Sequence, residues 1–338
     1  MIRAHGVSLA DRTTLGVGGP ARVLAVAESI DELRAILRDA ARAGDRVLVL
    51  GGGSNVVVRD AGWDGVVVQL GWRDVAIDEP SDVVTAGAGC EWDDFVAEMV
   101  AAGRAGVECL AGIPGRVGAT PMQNVGAYGQ EVADTIAHVR ALDRETGELR
   151  TFAPGECGFA YRTSAFKGSA RWIITDVGFR LPRAELGAEI RYAELAKALG
   201  AARAPLARVR ETVIALRRGK GMVVDPADPD SRSAGSFFTN PIVAADVAAQ
   251  IAARAGAAPP QWPQPDGRVK LSAAWLIERA GFAKGYARGR AGISTKHALA
   301  LVNRGGATAD ELLALADEIR AGVRDKLGAE LDNEPIIV

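Results

Sequence analysis

A serine at residue 236, in the stretch AGSFFTNP, is followed directly by two phenylalanines and an Asn-Pro break. It sits where a polar, turn-rich segment, VVDPADPDSRS, gives way to apolar residues. A nucleophilic serine needs a base beside it. The chain has three histidines, His5, His138 and His297, and neither G-x-S-x-G nor S-x-x-K surrounds Ser236. Chemistry at this hydroxyl would therefore be proton donation. The ordinary alternative is a turn or helix N-cap serine beside buried aromatics.

Two glycine-rich stretches could bring backbone close to a ligand. In VLVLGGGSNVVV, Gly51, Gly52 and Gly53 are followed by Ser54, Asn55 and three valines. A dinucleotide loop of the Rossmann kind must open a helix, whereas a β-branched run favours a strand. The loop thus joins two strands, either as a nest of N–H groups suited to phosphate oxygens or as a tight hairpin turn. The second stretch, GIPGRVGATPMQNVGAYG at 112–129, holds five glycines and a single charge, Arg116. A segment so irregular and so poor in polar side chains cannot pair its own backbone regularly. A planar or phosphorylated ligand lying against it would complete the pairing; a structural Ω-loop is the other reading.

The elements that must carry these loops are legible from periodicity. DELRAILRDAARAG has helical spacing of Leu33, Ile36, Leu37 and Ala40 and ends at Gly44; WDDFVAEMVAAG is a second helix ending in glycine. RVLVL, VVVRD, GVVVQL, DVVTAGAG and RWIITDVGFRLP read as strands, and HVRALDRETGELRTF as a hairpin turning at 145–147. Beyond residue 183 the composition turns to Ala and Arg, with one clear helix, LARVRETVIALRRG. Helices follow from NPIVAADVAAQIAARAG onward, with the strand ALALVN between the last two. A boundary near residue 215 is expected, and the length suits about two domains or three small ones.

Composition is that of an ordinary globular chain: 338 residues, 48% hydrophobic, 24% charged, net charge −2. That balance speaks against bulk nucleic-acid binding or attraction to a membrane surface. Cys90, Cys109 and Cys157 are odd in number and form no C-x-x-C pair, so neither a disulfide framework nor a zinc site is suggested, and no metal site is expected. The opening residues lack the apolar core of a secretory signal, and no apolar run approaches the ~20 residues of a membrane span. A cytoplasmic location without membrane or nucleic-acid partners is the expectation; protein partners are not indicated.

In order along the chain, TTLGVGGPA, LGGGSN, IPGRVGATPMQNVGAYG, YRTSAFK, GSFFTNP and KHALALVN resemble the UDP-N-acetylenolpyruvoylglucosamine reductase (MurB) family. The resemblance runs from about residue 10 to the end and is to the first structural type. It implies an α+β chain with a vanillyl-alcohol-oxidase/PCMH-type FAD-binding fold of two subdomains plus a C-terminal α+β substrate-binding domain. The implied division is 1–70, joined by 328–338, then 71–215 with an inserted tyrosine loop, then 216–327. The implied cofactors are FAD and NADPH, and the implied substrate is UDP-N-acetylglucosamine enolpyruvate, a small molecule of peptidoglycan precursor synthesis.

The family's catalytic positions fall on Ser236 as proton donor, Arg162 against the substrate carboxylate, and Glu334 assisting the enol intermediate. Glu334 is favoured over Asp332 because the family glutamate lies three residues after the leucine, here Leu331. The flavin positions fall on Gly51, Gly52, Gly53, Ser54, Asn55, Pro114, Gly115, Gly118, Ala119, Thr120, Asn124, Gly126 and Ala127. Backbone N–H groups of 51–55 and 115–120 are expected to hold the FAD pyrophosphate, with side-chain help from Asn55 and Thr120. Ala119-Thr120 departs from the serine-rich form of the family. Substrate positions fall on Tyr128, Tyr192, Arg217, Lys220, Asn240 and His297, with Arg217 and Lys220 toward the diphosphate. Two other functions compete. One is an oxidase of the same flavin fold, which often attaches FAD through His or Cys, neither of which lies in the flavin loops. The other is a non-catalytic UDP-sugar-binding protein, which would have no need of a proton donor.

Overall fold

The computed structural model describes residues 2–338. The chain divides into two compact units. One comprises the residues up to Val7, Ala21–Gly53 and Trp63–Gly219; the other comprises Ser8–Pro20, Ser54–Gly62 and Lys220–Val338. Two short N-terminal segments thus belong with the C-terminal third, a pairing that no local pattern announces.

Two larger sheets frame the first unit. In a four-stranded sheet the order is Ile2–Ser8, Pro20–Ala27, Trp63–Leu70, Val47–Val49, and Trp63–Leu70 runs parallel to both Pro20–Ala27 and Val47–Val49. Parallel neighbours need a crossover, and the helix Ile30–Ala43 supplies one. Its Ser29 accepts a hydrogen bond from Glu32 N–H at the start, Gly44 closes it at φ 71°, and it buries Leu33, Ile36 and Ala40. The second sheet is antiparallel, in the order Leu149–Phe152, Ile136–Asp143, Trp172–Arg180, Val83–Gly87, Val75–Asp78. The expected hairpin at 145–147 is its edge. Trp92, Phe95 and Phe179 pack ring to ring at 5.3–5.8 Å and join the helix Trp92–Ala101 to this sheet. The helices Ala193–Leu199 and Leu206–Gly219 complete the unit.

The second unit is built on the helices Ala245–Ala255, Ala273–Arg279 and Ala309–Leu327. The last is the longest in the chain. Thr308 and Glu311 form a reciprocal cap at its start, Gly328 ends it in the left-handed region, and seven of its residues are buried. Two small sheets flank the helices: Ile242–Val243, Val269–Leu271, Gln261–Pro263, and Ala287–Arg288, Ala291–Ile293, Leu301–Asn303. Ile336–Ile337 pairs in parallel with Val56–Val57. Among the described residues no helix is long and apolar enough to cross a membrane.

Candidate active site

The first glycine loop begins where the sheet ends. Leu50 N–H still donates to Val68 at 2.9 Å, and beyond it no helix forms before the strand resumes at Val56. Among the described residues nothing accepts the N–H groups of Gly51, Gly52 or Gly53, although Gly53 is buried. Buried amides are normally paired, so this run asks for an outside acceptor. Gly52 lies against the second loop: a Cβ added to it would stand 2.7 Å from Gly115 Cα. Two stretches that the sequence offers separately are therefore one backbone surface.

In the second loop the N–H groups of Gly115 and Arg116 also find no acceptor among the described residues, whereas those of Val117, Gly118, Ala119 and Thr120 donate to Cys90, Ala88, Arg116 and Val117 at 2.9–3.1 Å. The expected donor set 115–120 narrows to its first two members. Thr120 is buried, and its hydroxyl donates to Val117 O at 2.8 Å. Gly118 sits against Ala88, where a Cβ would come within 2.4 Å of the alanine methyl. Pro114, Gly118, Ala119 and Thr120 thus shape the loop rather than present donors. Five N–H groups on glycine-rich backbone, with no side chain in the way, fit a dinucleotide pyrophosphate.

The 121–131 segment and the turn at 160–163 meet. Asn124, Tyr128 and Arg162 are three of the four non-glycine residues at positive φ among the described residues, at 47°, 50° and 52°. Such backbone is uncommon outside glycine and asparagine and gathers at functional sites. Gly126–Ala127 pairs with Gln130–Glu131, so Tyr128-Gly129 is a two-residue hairpin turn with both φ positive, where asparagine-glycine is usual. Arg162 donates to Gly126 O at 2.8 Å and to Asn124 O at 3.5 Å. A Cβ on Gly126 would stand 2.8 Å from Glu131 Cγ and 3.0 Å from the Gln130 carbonyl oxygen, with the Arg162 guanidinium next at 3.2 Å, so the hairpin leaves room there for glycine. The Asn124 side chain is buried and engaged within the chain: it donates to Glu131 and the Ala160 carbonyl and accepts from Ala133 N–H. Asn124 therefore braces this corner through its amide. Glu131, which orients it, was not singled out by the sequence; its only signal is a carboxylate just past the glycine loop.

Tyr128 and Tyr192 stack edge to face, 5.3 Å between centroids, with Tyr128 buried and Tyr192 largely exposed at the start of the helix Ala193–Leu199. Burial pushes the Tyr128 hydroxyl up to about 12, so it is a neutral donor at physiological pH. Arg217, in the last turn of Leu206–Gly219, is pulled down to about 10 by burial, which its neighbours Tyr128 and Asp93 oppose. It remains protonated at neutral pH. A cation held with little water around it attracts an anion more strongly than an exposed one.

In the second unit Ser236 is partly buried between Gly235, at φ 73°, and the fully buried Phe237. Its hydroxyl makes no hydrogen bond among the described residues and it caps no helix. The turn-serine reading thus loses its support. The next residues are laid beside the C-terminal segment: Glu334 N–H donates to Phe237 O at 2.9 Å, Thr239 N–H donates to Asp332 O at 3.0 Å, and Phe238 bridges Asn333. This ladder sets Ser236 and Glu334 on adjoining backbone, and it puts Glu334, not Asp332, beside the serine's neighbour. The Asn55 amide donates to Glu334 O at 3.3 Å, and Asn55 O accepts Ile336 N–H at 3.1 Å. Asn55 therefore contacts the Glu334 backbone. Asn240 Oδ1 accepts Ala273 N–H at 2.9 Å, at the start of the helix Ala273–Arg279 that Ser272 caps. His297 accepts Leu299 N–H on Nδ1 at 3.0 Å, which assigns the proton of its neutral form to Nε2. Lys220 opens this unit's longest segment.

The sulfur groups are poor candidates for attaching a cofactor. Cys90, Cys109 and Cys157 are all buried, and burial raises Cys109 to about 12 and Cys157 to about 11. Among the described residues no cluster of His, Cys, Asp or Glu could hold a metal ion.

Comparison with known proteins agrees with this geometry. Residues 21–153 match the family model described as FAD binding domain, and residues 226–338 match UDP-N-acetylenolpyruvoylglucosamine reductase, C-terminal domain. The chain is 56% identical to the UDP-N-acetylenolpyruvoylglucosamine reductase of Thermobifida fusca, over 99% of this chain and 98% of the relative. It is 51% identical to that of Mycolicibacterium smegmatis, over 99% and 95%. The crystal structure of the MurB reductase from Thermus caldophilus superposes with a TM-score of 0.69 at 29% identity, covering 99% of this chain and 98% of that one. The fold is the α+β, PCMH-type FAD-binding fold with a C-terminal MurB domain. On full-length identity, paired domains and shared fold, the chain belongs to the UDP-N-acetylenolpyruvoylglucosamine reductase (MurB) family.

Proposed function

We propose that this protein is an NADPH-dependent flavoenzyme that reduces the enolpyruvyl ether of UDP-N-acetylglucosamine to UDP-N-acetylmuramate. The reaction serves peptidoglycan precursor synthesis in the cytoplasm, and through it cell-wall growth, shape and division. The observation that carries the reading is Ser236: a hydroxyl that makes no hydrogen bond among the described residues, on backbone laddered to Glu334, in a family whose reaction needs one proton delivered to carbon.

FAD, when bound and reduced by NADPH, supplies two electrons and one hydrogen to the terminal alkene carbon. The chain's residues do the rest. Arg162 holds the substrate carboxylate, into which charge spreads as the adjacent carbon becomes basic; a guanidinium stays charged and grips two oxygens. Ser236 gives its proton to that carbon. A serine hydroxyl is a very weak acid, yet an enolate-like carbon is basic enough to take its proton when the two are held in line. Glu334 assists formation of the enol form. Arg217 and Lys220 hold the diphosphate, while Tyr128, Tyr192, Asn240 and His297 line the sugar and nucleotide.

The N–H groups of Gly51–Gly53, Gly115 and Arg116 would hold the FAD pyrophosphate. Asn55 would steady the Glu334 backbone; Ser54 and Ala127 would lie on the flavin side. The division of labour proposed for the chain is 1–70 with 328–338 and 71–215 for the flavin, and 216–327 for substrate. The test is direct. The purified protein should be yellow, release FAD on denaturation, and with NADPH convert the enolpyruvyl substrate into a product heavier by two hydrogen atoms. A colourless folded protein, or reduced flavin with unchanged substrate mass, would refute the proposal.

A further inference from the structure

Lys167 closes the motif YRTSAFK and lies outside the residues assigned to flavin or substrate. Ala160 and Thr163 exchange both backbone hydrogen bonds at 3.2 Å, leaving Tyr161 and Arg162 as a two-residue turn. Arg162 takes the second of these places at φ 52°, the position that glycine or asparagine normally fills. An L side chain in this region is strained, and it stays only where its surroundings over-determine it. Three side chains do so. Asn124 donates to Ala160 O at 3.3 Å, Ser164 donates to Met122 O at 2.7 Å, and Lys167 Nζ donates to Arg162 O at 2.8 Å. The lysine acts on Arg162's own carbonyl. The half-buried lysine thus holds the carbonyl of Arg162 while the guanidinium of the same residue donates to Gly126 O.

We infer that Lys167 is a positioning residue for the reaction: its ammonium clamps the Arg162 carbonyl, keeps the strained turn in place, and so aims the guanidinium that holds the substrate carboxylate. The inference rests on the carboxylate role proposed for Arg162. Lys167 contributes no contact to substrate. It sets the direction of a cation on a turn that would otherwise relax toward negative φ, and the relaxed turn would swing the guanidinium away from Gly126 O.

The experiment resolves the two halves of the reaction by anaerobic stopped-flow absorbance of the flavin, on the holoenzyme. Lys167→Met should slow reoxidation by the enolpyruvyl substrate about 10- to 100-fold, the worth of one charged hydrogen bond. Reduction by NADPH should stay within about two-fold. Lys167→Arg, which keeps a charged donor, should recover most of the lost rate, and melting temperature reports whether each variant is folded. Arg162→Lys is made beside them. If Lys167 works through Arg162, the double variant should be no slower than Arg162→Lys alone.

A Lys167→Met protein with normal reoxidation beside a slow Arg162→Lys protein would overturn the inference and leave the proposed function intact. Additive losses in the double variant would also overturn it, since they would mean that Lys167 meets substrate itself. Equal slowing of both half-reactions would reduce Lys167 to a fold-holding residue. Normal reoxidation by Arg162→Lys would overturn the carboxylate role and the inference together.

Discussion

Replacing Ser236 by alanine separates a chemical hydroxyl from a structural one, and the structure sets the size of each effect. A serine that caps a helix or turn loses about 1 kcal/mol on conversion to alanine. Ser236 Oγ makes no hydrogen bond among the described residues, so its removal breaks nothing within the fold. Ser236→Ala should therefore shift unfolding free energy by less than about 0.5 kcal/mol, the range of substitutions that break no specific contact. Its effect on rate should be large and confined to one step. A positioned acid is worth about 10²–10⁴-fold, or roughly 2.7–5.5 kcal/mol of activation free energy. Reduction of bound flavin by NADPH involves no proton transfer to substrate and should keep its wild-type rate. Reoxidation by the enolpyruvyl substrate should slow by the full factor. Ser236→Cys should recover part of it, since a thiol still donates a proton. Stopped-flow absorbance with oxygen removed resolves both steps. Unchanged reoxidation in a folded Ser236→Ala protein would refute the reasoning, and equal slowing of both steps would indicate a distorted pocket.

Gly52→Ala should fold but lose flavin, because the added methyl would stand 2.7 Å from Gly115 Cα and force the two loops apart; FAD released per mole of protein measures this. Arg217→Ala and Lys220→Ala should each weaken substrate binding by about 1.5–3 kcal/mol, read by titration, with flavin reduction by NADPH little changed. Substrate affinity should be level from roughly pH 7 to 9 and fall by up to about tenfold per unit once Arg217 loses its proton near 10, as calorimetry across that range would show. The same lowered value means that folding carries a cost for the charged Arg217 below about pH 10, and this cost fades as pH rises toward the unfolded value of 12.5.

Local patterns were legible where one short segment decides its own structure. Leu33, Ile36 and Ala40 fall on one face and Gly44 ends the helix, as spacing alone requires. The valines after Asn55 resume a strand, which a helix-opening dinucleotide loop does not allow. Elements whose reason lies elsewhere in the chain were not legible. Ile2–Ser8 and Pro20–Ala27 have no marked alternation and become strands through their sheet neighbours. Ile242–Val243, inside a stretch that reads as helical, is drawn into a strand by Val269–Leu271. The helix Ala193–Leu199, at seven residues, is too short to show a period.

The site divides the same way. Ser236 and the glycine loops stand out by residue type, whereas the side-chain amide of Asn124 and the hydroxyl of Thr120 looked available for a ligand and are bonded within the chain. Hydrogen-bond partners hundreds of residues apart, such as Asn55 and Glu334, leave no trace in local spacing.

Substrate-driven reoxidation of the flavin tests the proposed reaction most directly. Under nitrogen, one equivalent of NADPH should bleach the yellow protein, and one equivalent of UDP-N-acetylglucosamine enolpyruvate should then restore the colour with stoichiometric formation of UDP-N-acetylmuramate. Bleaching by NADPH followed by no recovery until oxygen is admitted would contradict it and place the protein among the oxidases of its fold.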